Sequence, residues 1–341
     1  MEASAATGSA PALPRNPLRV PFRGARWAFL AREMEMVHEW IRVTLESPQG
    51  LMGEAGRHLL RGAGKHLRPG LVLLCARLGK YHPRRVIPVA AAVELVHMAT
   101  LVHDDVIDGS PRRRGWPTVH VTWNDRVAVL LGDYLFSRAL TLGSRYGGQE
   151  VVDLLASAVE EMCKGEMDQE AHRFDPEQSE EQYLARIGRK TARFIADCCR
   201  AGAMLGQAPA AVVDAVGEYG YSLGLAFQIV DDVLDFTGSG AEMGKPAGSD
   251  LREGVLTLPV IYALAGEHGP WITEVIRARR FGEEELSRLR NILQEGGHLE
   301  RARELARSLK EEALQALRCL PPARVTALLG EAAEFVVERR F

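Results

Sequence analysis

What this 341-residue chain lacks already narrows its chemistry. Aromatic residues make up only 6% of it, and no run of about 18 uninterrupted apolar residues occurs; the most apolar stretch, residues 87–102, is interrupted by Glu94 and His97, so no membrane span is expected. Positive charge is not in excess: 42 Lys and Arg face 45 Asp and Glu, for a formal net charge of -3, which excludes a general basic field for nucleic acid and requires any anion site to be local. The five cysteines form no C-x-x-C pair, and adjacent Cys198 and Cys199 sit in an apolar stretch, so buried free thiols are expected rather than disulfides or metal ligands. Residues 1–24 are rich in Ala, Pro and Ser but lack a basic start followed by an apolar run, and read as a flexible tail rather than a signal peptide. Together with the thiols this points to the cytoplasm. There is no G-x-S-x-G, no Walker loop and no glycine fingerprint after a strand, so the chemistry is expected from metals and charge, not from a nucleophile.

What is present is helix after helix. From Trp27 onward apolar residues recur at three and four positions, with few β-branched alternations, and nothing divides residues 25–341 into more than one domain. Breaks are expected at Gly79–Pro83, Gly109–Pro117, Gly147–Gly148, Phe174–Pro176, Gly206–Pro209, Gly238–Pro246 and Gly269–Pro270.

Asp-Asp-x-x-Asp occurs twice, at Asp104-Asp105-Val106-Ile107-Asp108 and at Asp231-Asp232-Val233-Leu234-Asp235. On a helix the first and last acids of each motif lie on one face, about 6 Å apart, where like charges repel. A solvated acidic face is one reading of a single motif. Two such motifs, each set in an apolar helix, need a cation, and hard carboxylate oxygens suit Mg²⁺ completed by water and substrate phosphates. A Ca²⁺ loop is excluded because Val106 and Val233 stand where alternate acids are needed.

Cationic groups accompany the acids: Gly64-Lys65-His66-Leu67-Arg68-Pro69, Arg112-Arg113-Arg114, Lys190-Thr191 and Lys245. Lys and Arg beside magnesium carboxylates imply a shared anion, most simply a diphosphate. His97 is two helical turns before Asp104 on the same face, and reads either as a satisfied core histidine or as a donor in line with the metal site.

These residues resemble the trans-isoprenyl diphosphate synthase family, of the long-chain type, over about Gly62 to Ala263. The match is carried by Gly64-Lys65-x-x-Arg68-Pro69, ELVHMATLVHDDVID (Glu94–Asp108), Arg113-Arg114-Gly115, Lys190-Thr191-Ala192, FQIVDDVLD and GKPAGSDLREG. The resemblance implies an all-α, isoprenoid synthase-type helical bundle around a deep central cavity, with two facing Asp-rich helices that hold about three Mg²⁺ on an allylic diphosphate. It implies Asp104, Asp108 and Asp231 as leading metal ligands, with Asp105, Asp232 and Asp235 supporting them. Arg113, Lys190, Thr191, Gln228 and Lys245 would grip the allylic diphosphate, and Gly64, Lys65, Arg68, His97 and Arg114 would hold isopentenyl diphosphate.

The sequence departs from the family at Val255, where many relatives carry Lys, a loss shared by the large subunits of some bacterial long-chain synthases. Small Ala99 and Thr100, just before the first motif, imply a tunnel open for a long product of about six to ten isoprene units, since one helical turn of about 5.4 Å matches roughly one unit. A seven-unit quinone side-chain precursor is favoured. A homodimer, or a heterodimer with a small helical subunit, is expected, with no nucleic acid partner and at most peripheral membrane contact for product release. The alternatives are a short-chain geranylgeranyl synthase, a class I terpene cyclase, against which Lys65, Arg68 and His97 speak, and a noncatalytic prenyl-diphosphate-binding subunit, against which both intact motifs speak.

Overall fold

The computed structural model describes residues 27–46, 49–62, 64, 66–237, 248–321 and 323–339, and these are helical apart from short connections and one two-stranded hairpin. The expected tail, Lys65 and Lys245 lie outside the described residues.

Local chemistry explains most helix boundaries. After α1 (Ala28–Glu46), α2 (Leu51–Leu60) and α3 (Leu67–Cys75), the long α4 (Pro83–Ile107) opens on Pro83, whose missing N–H has no helical partner to lose there. It ends at Asp108, and Gly109 at φ 60° turns the chain into a hairpin of β1 (Arg112–Arg113) and β2 (Trp116–Pro117). Both turn residues, Arg114 and Gly115, have positive φ, 52° and 84°, as a tight two-residue hairpin requires. Next come α5 (Val119–Thr122) and α6 (Asp125–Leu142), the latter capped by Asn124, whose side chain accepts the Val127 N–H at 2.9 Å. After α7 (Gln149–Ala171), α8 (Glu180–Ile187) starts at a reciprocal capping box between Ser179 and Gln182. Gly188–Ala192 then wind as a single π-turn into α9 (Arg193–Leu205). The central α10 (Ala210–Thr237) follows, and α11 (Ser249–Arg252), α12 (Leu258–Leu264), α13 (Gly269–Arg277), α14 (Glu283–Glu295), α15 (His298–Ala316) and α16 (Arg324–Glu338) complete the chain.

Two hydrophobic clusters organise the packing. One joins α3, α4, α6, α9 and the first half of α10 through Leu71, Val89, Leu95, Leu131, Phe194 and Leu223. The other joins the second half of α10 to α12, α14 and α15 through Ile229, Val233, Leu258, Leu289 and Ala306. α10 lies against α9 unusually closely. A Cβ on Gly220 would sit 2.8 Å from the Ala196 Cα, and one on Gly224 would sit 2.5 Å from the Ala192 Cα. That approach brings the π-turn up to the part of α10 that carries the second acidic motif.

Two expectations need correction, on the thiols and on one helix break. The five thiols are free, but only Cys75, Cys198 and Cys199 are buried; Cys163 and Cys319 are exposed, because they lie on the outer faces of helices rather than in apolar stretches. α4 is long and apolar enough by length and composition to cross a membrane, although its most apolar stretch is 72% buried inside the protein. The break expected at Gly269–Pro270 falls earlier, because Gly269 and Pro270 start α13.

Gly224→Val should push α10 away from the π-turn and cost about 1–3 kcal/mol, since branched carbon has no space there. Thermal melting should show a drop of several degrees; an unchanged melting temperature would contradict the close approach.

Candidate active site

Both Asp motifs occupy the last turns of their helices, α4 and α10. Carbonyl groups and the negative end of the helix dipole already crowd these ends, so the helices themselves offer the acids no relief. The cations come from elsewhere in the fold. Arg113, carried by the hairpin, donates from Nε to Asp105 Oδ1 at 2.7 Å. Arg173, beyond the end of α7, reaches Asp108 Oδ1 at 3.4 Å. Lys190 lies in the π-turn, ion-paired to Glu166 of α7, and faces Asp104 and Asp108. Burial opposes its charge, but Asp104 and Glu166 outweigh this and raise its pKa. The half-buried Asp104 carboxyl is pushed up to about 6, chiefly by desolvation; Lys190 pulls it down, and the like charges of Glu166 and Asp108 push it up further.

The second motif is joined to the same π-turn. Thr191 donates to Gln228 Oε1 at 2.9 Å, and Gln228 donates to Asp232 Oδ1 at 2.9 Å. The buried Tyr183 hydroxyl donates to Asp232 Oδ2 at 2.7 Å. Ser249 donates to Asp235 Oδ1 at 3.0 Å, while the buried Asp235 Oδ2 has no hydrogen-bond partner among the described residues. Burial, reinforced by Asp250, pushes both Asp232 and Asp235 up to about 7. Asp231 pairs with Arg339, just past α16, at 2.8 Å; that guanidinium also stacks 3.9 Å over the Phe227 ring.

A cationic region adjoins the acids. Half-buried Arg68, in the first turn of α3, lies over the Phe194 ring, and its Nε has no hydrogen-bond partner among the described residues. Burial first, then the nearby Arg68, holds His97 well below the ordinary histidine range, so it is a neutral imidazole at pH 7. Arg114 donates to the Gly62 carbonyl at 2.7 Å and lies against Gly64. Ala99 is fully buried on α4, and Thr100 spends its hydroxyl on the His97 carbonyl at 2.8 Å. Val255 is half-buried in the turn after α11, with its N–H on the Asp250 carbonyl at 2.8 Å.

The fold thus brings Asp104, Asp105, Asp108, Arg113, Lys190, Thr191, Gln228, Asp231, Asp232 and Asp235 around one turn, with Arg68, His97 and Arg114 beside them. Sequence reading passed over Glu166, Arg173, Tyr183, Asp250 and Arg339. Asp250 stands inside the quoted GKPAGSDLREG and was open to notice; the others sit in ordinary helical or terminal contexts without a spacing that marks them.

A family model described as polyprenyl synthetase matches residues 49–293. The chain belongs to the polyprenyl synthetase family. It is 40% identical over 321 residues to heptaprenyl diphosphate synthase component 2 of Geobacillus stearothermophilus, covering 93% of this chain and 99% of the relative. A polyprenyl synthase from Caulobacter crescentus CB15, solved in complex with calcium and isoprenyl diphosphate, is similar at TM-score 0.88 and 34% identity, over 93% of this chain and 97% of that one. Heptaprenyl diphosphate synthase from Staphylococcus aureus is similar at TM-score 0.86 and 32% identity, over 92% and 99%. The synthase is therefore a prenyltransferase of the long-chain trans-polyprenyl diphosphate type, on the isoprenoid synthase fold.

Burial gives the metal-free synthase a defined pH response. Asp232 holds its proton more tightly in the folded protein, with a pKa near 7 against an ordinary 3.8, so its contribution to stability is complete below about 3.8 and is lost as pH rises through about 7. Asp232→Asn removes this term and should gain on the native protein by about 2 kcal/mol between pH 5 and pH 7.5 in chelator. Paired denaturant titrations measure the difference, and a pH-independent gap would rule the mechanism out.

Proposed function

We propose that the synthase joins isopentenyl diphosphate, unit by unit, to an allylic diphosphate such as farnesyl or geranylgeranyl diphosphate, using Mg²⁺. The observation that carries this reading is the convergence of both acidic motifs on the Lys190–Thr191 turn, with the Arg68, His97 and Arg114 region next to it. Two anionic groups have two separate places to go.

The donor set fits a hard divalent cation. Asp235 Oδ2 is a buried oxygen with no hydrogen-bond partner among the described residues, and Asp104 is destabilised as an anion until a cation compensates it. Asp104, Asp108 and Asp231 would hold about three Mg²⁺, with Asp105, Asp232 and Asp235 in support. Bound Mg²⁺ supplies charge stabilisation to the departing diphosphate.

The chain's own groups do the rest. Lys190, Arg113, Thr191 and Gln228, with Lys245 from outside the described residues, hold the allylic diphosphate and share its growing charge as the allylic carbon–oxygen bond breaks. Gly64, Lys65, Arg68, Arg114 and neutral His97 hold isopentenyl diphosphate so that its double bond faces the allylic cation. Released diphosphate takes the proton, which accounts for the lack of a dedicated carboxylate or imidazole base. The contact that many relatives make through Lys at position 255 is absent here.

The small side chain of Ala99 is the basis for a long tail on this side of α4, toward about six to ten units with about seven favoured, for use in a quinone side chain in the cytoplasm. Exposed Val129, Leu130 and Leu140 on α6, with Ile107 and Val121 nearby in sequence, support assembly either as a homodimer or with a small helical subunit.

Incubation with Mg²⁺, farnesyl diphosphate and labelled isopentenyl diphosphate, followed by sizing of products, tests this function. Long polyprenyl diphosphates are expected, and a cyclised hydrocarbon with no isopentenyl incorporation would reverse the reading. Asp104→Ala should abolish turnover while leaving the helical content intact; near-native activity at saturating Mg²⁺ would remove Asp104 from the metal site. Ala99→Phe should shorten the product to about three or four units while the first condensation survives. Native-length product at full yield would place the tunnel elsewhere.

A further inference from the structure

His66 stands between Lys65 and Arg68 in sequence, and its side chain pairs with Glu94 of α4. Its backbone is left-handed, φ 50° and ψ 41°, at the N-cap of α3. Non-glycine residues adopt this conformation uncommonly, though His is enriched there with Asn and Asp, so the contacts of the His66 ring must say what holds it. The ring provides no helix cap. It is buried, donates from Nδ1 to Glu94 Oε1 at 2.9 Å, and meets the His38 ring edge-on at a centroid distance of 4.3 Å.

Glu94 is itself buried on α4, ten residues before Asp104, in the electrostatic field of His66, His97 and Arg68. Burial would raise its pKa, but these neighbours outweigh it and hold the carboxyl down at about 2, so it is an anion whenever the protein works. An unmuted carboxylate here would repel an incoming diphosphate as well as attract the cations meant to bind it. The His66 N–H satisfies one oxygen and fixes the direction of the group.

Gly62 and His66 are each fastened to another segment. Arg114 of the hairpin holds the Gly62 carbonyl at 2.7 Å, and Glu94 of α4 holds the His66 ring. The hairpin is in turn docked on α2, where His58 Nε2 donates to the Pro117 carbonyl at 2.7 Å. Gly64 lies between these two tethers, and Arg68 follows two residues after His66, in the first turn of the helix that His66 starts.

Building on the isopentenyl diphosphate site proposed above, we infer that His66 is a positioning residue for that substrate: its hydrogen bond to Glu94 sets the start of α3, and with it Arg68, in binding geometry before the diphosphate arrives. Touching no substrate, it acts through the helix start it anchors.

Steady-state kinetics on the full chain, varying isopentenyl and farnesyl diphosphate separately, test this role. His66→Ala should raise the isopentenyl KM about ten-fold, equivalent to about 1.4 kcal/mol of binding, with the farnesyl KM changed less than about two-fold. His66→Asn places an amide donor where Nδ1 stood and accepts left-handed φ, so it should restore the native isopentenyl KM. His66→Gly relieves the backbone without supplying a donor, so it should recover melting temperature but not KM. Rescue of KM by Gly as fully as by Asn would reduce His66 to a strained turn residue and overturn the inference, as would equal rises in both KM values. Arg68→Ala separates the two levels. If it raises the isopentenyl KM while His66→Ala does not, only the positioning role falls; if Arg68→Ala leaves that KM unchanged, the proposed isopentenyl site itself falls.

Discussion

The constraint on which this structure turns is the placement of like-charged carboxylates at the C-terminal ends of two apolar helices. Water cannot fully screen them there, and the helix dipoles oppose them. The fold answers with cations from distant segments: Arg113 from the hairpin, Arg173 beyond α7, Lys190 from the π-turn and Arg339 beyond α16. Even so the balance is incomplete. Asp104, Asp232 and Asp235 remain well above the usual carboxylate range, and Asp235 keeps an oxygen without a hydrogen-bond partner among the described residues. Such a cluster is stable as a protein and still poised for more positive charge.

Close helix packing makes this arrangement possible. Because Gly220 and Gly224 carry no Cβ, α10 can rest on the backbone at Ala196 and Ala192. The π-turn then places Thr191 against Gln228 and, one residue earlier, Lys190 toward Asp104. A single extra residue in a helical turn thus serves both motifs at once, consistent with the tendency of π-turns to occur at functional sites. Gly165 permits the matching approach from α7, since a Cβ there would come within 3.0 Å of the Lys190 backbone nitrogen.

The cationic side follows a different logic. Arg68 is held by packing over Phe194, and it and the neutral His97 imidazole share the field of buried Glu94. A region built this way stays attractive to an anion while its parts remain in place. The hairpin is tied to Gly62 through Arg114 and to α2 through His58, and the start of α3 is tied to α4 through His66.

Much of this was legible in the chain before any coordinates. Apolar periodicity settles the helical class, Gly and Pro mark most breaks, and the doubled Asp-x-x-x-Asp spacing brings acids onto one helix face, because all three depend only on residues within a turn or two of each other. The motif set likewise carries the family. Tertiary structure decided which charge meets which. His66 and Glu94 are 28 residues apart, Arg173 and Asp108 are 65 apart, and nothing in the local sequence around Arg339 announces that it returns to Asp231. Those pairings depend on how helices cross and how closely glycines let them approach, and a period of 3.6 residues along one helix contains no information about the neighbour that will lie against it.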